Sequence, residues 1–274
     1  MSGREQGSRL PPGAVDTHAH VMRSDAELVA ERHSAPARDI TLEDFVQVLD
    51  DHNVSFGVLT SPSFYGTDNT LLLDALARSG GRLRGTVIVD PSISADALER
   101  MRAAGVAGIR LNWIRRKAIP DTASPEYQHL FGLASDLGLH VELFIEGDLL
   151  PFILREIARS KAKIVIDHFG CPNPDKGVNS PGFTCLLDAV GAGNTWVKLS
   201  APYRCGGVDP QMYVDALLAA GGGERLIWAS DWPWVSHENT ITYAQCIDLL
   251  WQWVPDSRIR HRILVDTAQQ LFGF

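Results

Sequence analysis

The chain has 274 residues, 45% of them hydrophobic, and a formal net charge of −8, enough to bury one large core but too short for two domains of ordinary size. Its acidic residues are scattered rather than gathered in a tail, which argues for solubility and against a general nucleic-acid or membrane surface; an anion must be bound locally. Four cysteines, Cys171, Cys185, Cys205 and Cys246, include no C-x-x-C pair, which fits neither a zinc ribbon nor a disulfide framework.

Residues 1–13, MSGREQGSRLPPG, have charges, Gly and Pro but no apolar run. They read as a flexible leader before a single domain at 14–274, not as a secretory signal. No later segment approaches the apolar length of a membrane span, so a cytoplasmic location is expected. AVDTHAH is the first candidate strand, and alternation along it puts Asp16, His18 and His20 on one face. Thr41 then caps a helix in LEDFVQVLDDH. SFGVLTS is the second strand, followed by the polar SPSFYGTDN with Ser63 and Tyr65. RGTVIVD is the third, and Ser94 caps the helix ADALERMRAAG. VAGIRLNW, the fourth, ends in Arg110 and Asn112 and leads into WIRRKAIPDTASPEY. There Ser124 and Pro125 open a helix that Gly138 closes. HVELFIE is the fifth strand, and KIVIDHF, the sixth, ends in Asp167 and His168 before GCPNPDKGVNSPGF. Lys198 and Arg204 flank the end of the seventh, TWVKLSA. The eighth, LIWASDW, carries Asp231 at its end.

This order is strand and helix repeated eight times in about 250 residues, which predicts an α/β fold, a closed (β/α)8 TIM barrel of one domain, with an open doubly wound sheet as runner-up. In a barrel the loops after the strands form the catalytic face, and the chemically capable residues all sit there. Each has a plain reading by itself: a satisfied core histidine, a loop histidine, a turn carboxylate. Together the plain readings become costly, because each buried ionisable group left uncompensated would cost about 2–7 kcal/mol or more.

The H-x-H on strand one, the histidine ending strand six and the aspartate ending strand eight resemble the amidohydrolase superfamily. SFYGTDN, RGTVIVDP, GVAGIRLNWIRR, IEGD, IDHFG and SDWPW, in that order, narrow the resemblance to its 2-pyrone-4,6-dicarboxylate lactonase branch, which acts on lactones of small carboxylated molecules. The resemblance implies a cytoplasmic hydrolase of aromatic-compound catabolism. It also implies that Arg110, Arg116 and Arg204 hold substrate carboxylates, which suits the guanidinium fork. Ser63, Tyr65 and Asn112 are expected as further polar contacts. Two positions depart from the branch, which would have tyrosine at Phe144 and arginine at Cys171. The metal question is decided by other departures. RLNW has no bridging lysine, and the only histidine of the fifth strand, His140, lies at its wrong end. A metal-free site is therefore favoured, with Zn2+ on His18, His20 and Asp231 as the alternative.

The expected reaction is hydrolysis of a small carboxylated lactone. Asp231 acts as general base on water, and His18, His20 and His168 polarise the carbonyl. No G-x-S-x-G elbow points to a serine nucleophile. The alternatives are a lactone isomerase, a zinc-dependent amide hydrolase or decarboxylase of the same superfamily, and a barrel that binds acidic metabolites without turnover. The expected partner is the small acid itself, with no nucleic acid or membrane; the sequence is silent on oligomeric state.

Overall fold

The computed structural model describes residues 10–274. Among these, eight parallel strands run in the order of the chain: β1 Val15–Ala19, β2 Phe56–Thr60, β3 Leu83–Val87, β4 Val106–Asn112, β5 His140–Phe144, β6 Lys163–Ile166, β7 Thr195–Leu199 and β8 Leu226–Trp228. The ring closes just past β8, where Asp231 N donates to His18 O at 3.0 Å and His20 N to Trp232 O at 2.9 Å. This is the (β/α)8 barrel that the alternation predicts.

The helices that follow the strands are α1 Leu42–Asp51, α2 Thr70–Arg78, α3 Ala95–Ala103, α4 Pro125–Asp136, α5 Leu150–Ala158, α6 Pro181–Gly191, α7 Gln211–Gly221 and α8 Tyr243–Trp253. Their starts follow local chemistry. Thr41 forms a capping box with Asp44 at the head of α1, and the Ser94 and Ser124 hydroxyls accept from backbone N–H groups of α3 and α4. The main apolar core lies between the strands and this outer layer. Two short helices, α9 Ser257–His261 and α10 Thr267–Phe272, end the chain. Ala268, Leu271 and Phe272 of α10 pack with Val15, Val58, Val165 and Ile227 and close the bottom of the barrel.

The predicted leader lies mostly outside the described residues, but its last four, 10–13, are tied down. Leu10 is buried, Leu10 N donates to His52 O, and Gly13 N donates to the Ser55 hydroxyl. One connection escapes the sequence reading. The longest loop after a strand is 20–41, held over the mouth by the Met22 and Ile40 bridge and by Val29 N donating to Phe64 O. At Gly108 a Cβ would lie 2.2 Å from His140 Nε2. Its absence lets the His140 ring lie against β4, within 3.6 Å of Glu142 Oε2.

Candidate active site

The strand ends converge on a cavity of about 360 Å3 at the C-terminal face, with His20, Ser63, Arg110, Asn112, His168, Arg204 and Asp231 in its wall. Its floor is ionic. Asp231 stands three residues past β8, at φ 59°. This left-handed backbone explains why the strand stops earlier than its apolar run predicts. Asp231 Oδ1 faces three imidazoles, 3.6 Å from His18 Nε2, 3.8 Å from His20 Nε2 and 3.7 Å from His168 Nε2. The other oxygen, Oδ2, accepts from Tyr203 Oη at 2.6 Å and from Arg204 Nε and Nη2 at 3.1 and 3.0 Å. Burial pushes the Asp231 carboxyl up, but the Arg204 guanidinium and the three imidazoles together outweigh it and hold the group well below the usual carboxylate range.

Beneath this floor lies a second layer of charge inside the barrel. Lys198 Nζ on β7 donates to Glu142 Oε2 at 2.6 Å and to His18 Nδ1 at 2.9 Å, and lies 3.0 Å from Asp167 Oδ1. Arg110 reaches Glu142 Oε1 at 3.2 Å, Asp167 Oδ2 at 2.8 Å and Ser61 O at 3.1 Å. Two cations and two carboxylates sum to zero, as so deep a burial requires. Burial and Asp167 push Glu142 up, and the Lys198 ammonium, His140 and His18 together bring it below its usual range; Asp167 is likewise held low by Lys198, His18 and Arg110 against its burial.

The hydrogen bonds also fix ring protons. His20 Nδ1 meets the Thr60 carbonyl at 2.6 Å, so Nδ1 carries the proton and Nε2 presents a lone pair. His168 Nδ1 pairs with the Ser200 hydroxyl at 2.8 Å. Burial pushes His20 and His168 each from 6.5 down to about 3, so both rings are neutral near pH 7. The unfolded chain takes up protons on them below 6.5, whereas the folded protein does so only near 3. Stability is therefore full above 6.5 and is lost as pH falls through that window. Urea unfolding at about pH 5 is expected to show a free energy lower than at about pH 8 by roughly 2 kcal/mol per ring. A flat stability between those values would mean that the rings are charged or solvated.

The predicted residues do not all meet. His18 lies wholly under the floor, and Arg110 is largely spent on Glu142 and Asp167. Arg116 falls in a neighbouring cavity of about 470 Å3 that shares His33, Ser63, Asn112 and Arg115 with the cup. Tyr65 is outside both cavities, its hydroxyl held between Arg23 N and Arg23 O. Phe144 lines the cup between two cations, its ring 5.5 Å from the Arg110 guanidinium carbon and 5.8 Å from that of Arg204. Cys171, also in the wall, adopts φ 43°. Sequence reasoning missed His33 and His237 in the wall, Tyr203 on Asp231, and Glu142 in the buried layer. Glu142 had a signal: a charge in the middle of an apolar strand needs a partner, and Lys198 on β7 is one.

His18, His20 and Asp231 bring one donor atom each within 4.8 Å of one another, close enough to hold a metal such as Zn2+. Among the described residues no helix is long and apolar enough to cross a membrane.

A family model described as amidohydrolase matches residues 15–274. The chain is 28% identical to 4-sulfomuconolactone hydrolase of Hydrogenophaga intermedia, over 96% of this chain and 90% of that one. It is 29% identical to 2-pyrone-4,6-dicarboxylate hydrolase of Comamonas testosteroni, over 96% and 91%. Its fold matches the crystal structure of a probable 2-pyrone-4,6-dicarboxylic acid hydrolase from Acinetobacter baumannii with citric acid bound, at a TM-score of 0.90 and 32% identity, covering 96% of this chain and all of that one.

Proposed function

This chain belongs to the amidohydrolase family, and on that footing we propose that it hydrolyses the cyclic ester of a small carboxylated molecule, with Asp231 as general base. The observation that carries the reading is the single carboxylate oxygen, Asp231 Oδ1, set among three imidazole nitrogens at the floor of a cup whose wall holds guanidinium groups. The relatives named for lactone hydrolysis support it.

The division of labour among the histidines follows from their protons. His20 Nε2 is a lone pair that faces His18 Nε2 at 3.3 Å, so this ring does not polarise a carbonyl. A water at about 2.8 Å from Asp231 Oδ1 would donate a hydrogen to it and turn a lone pair to the substrate. Attack on the ester carbon passes a proton from water to Asp231. His168, whose Nε2 points to the same place, donates to the oxygen that becomes negative, with its Nδ1 held by Ser200. Collapse breaks the ring C–O bond, and Asp231 returns its proton to the departing oxygen. Arg204, whose Nη1 meets no acceptor among the described residues, and the polar wall of Asn112 and Ser63 hold the substrate carboxylate.

The fold family also implies a metal, and the donor spacing alone would suit one. Charge and protonation do not. The Asp231 charge is already neutralised by Arg204, and the ammonium of Lys198 at His18 Nδ1 leaves the His18 proton on Nε2, where a metal would need the lone pair. The three residues do not fit a divalent ion in this state, and the proposed reaction runs without one. Ring opening of carboxylated lactones, followed by proton release, tests both claims. Enzyme dialysed against chelator is expected to keep its full rate; activity that falls in proportion to zinc removed and returns on zinc addition would contradict the metal-free reading.

A further inference from the structure

We propose that Lys198 is a positioning residue for this reaction: through its bond to His18 Nδ1 it fixes that ring as the Nε2–H tautomer, so that His18 presents a proton to the cup floor. The inference rests on the lactone-hydrolase reading for its catalytic meaning, though the tautomer itself does not.

Three contacts say the same thing. An ammonium has three donors and no acceptor, so at 2.9 Å it requires a lone pair on His18 Nδ1. On the other side of the ring, His18 Nε2 lies 3.3 Å from His20 Nε2, which is itself a lone pair because His20 Nδ1–H is given to the Thr60 carbonyl at 2.6 Å. Two lone pairs at that distance repel, so the proton belongs on His18 Nε2. The third neighbour, Asp231 Oδ1 at 3.6 Å, is an acceptor too. One polarised chain results: from the Glu142 and Asp167 carboxylates to the Lys198 ammonium, to His18, to His20, to the Thr60 carbonyl.

A purely structural role for the buried charges explains less. A barrel interior is normally filled by branched apolar side chains, and a buried ion pair is a poor substitute for them. Nothing in the quartet of Glu142, Asp167, Arg110 and Lys198 requires Lys198 to meet an imidazole as well. The competing arrangement gives the His18 proton to Nδ1 and then to Asp167 Oδ1, which lies 3.3 Å away. It would set that proton against the closer ammonium. The tautomer matters because a ring with its proton on Nδ1 would turn a lone pair toward Asp231 and His20, losing the bond to His20 and repelling the carboxylate oxygen that holds the water.

Nitrogen NMR of the full chain labelled with 15N-histidine, with His18 assigned by His18→Gln, reads the tautomers directly. The expected spectrum shows His18 protonated at Nε2 and bare at Nδ1, and His20 the reverse. A His18 ring protonated at Nδ1 overturns the inference, whether or not any lactone is hydrolysed. Conversely, the expected tautomer with no lactone turnover leaves the inference standing and defeats the functional reading instead. Lys198→Met is the second arm. It is expected to move the His18 proton to Nδ1 and to lower kcat on carboxylated lactones by about a hundredfold per folded enzyme, with KM within about threefold. If folded Lys198→Met keeps both the wild-type tautomer and kcat, Lys198 is only a packing residue and the inference is wrong. If Lys198→Met does not fold, the wild-type spectrum alone decides.

Discussion

Asp231→Asn is expected to lower kcat on a carboxylated lactone by about a thousandfold while KM changes by less than about threefold, the loss typical of removing a general base. The substitution keeps the shape of the side chain and one oxygen for Tyr203 or Arg204, but it removes the charge that takes the proton of water. The same charge also pairs with Arg204, so the variant leaves a guanidinium without its counter-charge. A thermal melt beside the kinetics separates the two effects. Steady-state rates on the folded variant are the measurement; retention of a third of the wild-type kcat would remove Asp231 from the chemistry.

Arg204→Ala is expected to cost about 2–4 kcal/mol in kcat/KM for acidic lactones, roughly 30- to 1,000-fold. The neutral lactone of the same ring size should lose far less. The physical reason is a division of one guanidinium between two carboxylates. Nε and Nη2 are committed to Asp231 Oδ2, and the side chain keeps an exposed edge in the cup wall. Through that contact Arg204 also depresses the basicity of Asp231. A substrate carboxylate that draws the guanidinium toward itself therefore strengthens the base at the moment of binding. Comparing kcat/KM on an acidic lactone and on its neutral counterpart decides it. Equal losses on both would assign Arg204 to holding Asp231 alone.

What the sequence discloses and what it hides follow from distance along the chain. The eight strands, the caps at Thr41, Ser94 and Ser124, and the cluster of Asp231 with His20 and His168 over the buried His18 are readable because each is signalled within a few neighbours: apolar runs, alternation, and a charge where a strand runs out. Partnerships are not local. Lys198 meets a histidine 180 residues away, and Arg110 a carboxylate 57 away. So Arg110 looks like a free anion binder in the sequence and is in fact mostly engaged. Loops hide more. Arg115 at φ 58° precedes Arg116 in a turn that puts Arg116 beside the neighbouring cavity, and Tyr65 is turned to Arg23 by bonds that no pattern announces. Lys198 and Glu142 could have been paired from sequence on one ground: each interrupts a buried strand, and a buried charge seeks its opposite.

In the proposed reaction water, activated by Asp231, opens the ring of a carboxylated lactone. Turnover in 18O-enriched water followed by mass spectrometry of the product tests it most directly, with 2-pyrone-4,6-dicarboxylate and muconolactone-type acids as substrates. The expected product is an open hydroxy acid or its keto form with one 18O in the carboxylate released from the ester. An isomeric lactone containing no 18O, or tight binding with no product at all, would contradict it.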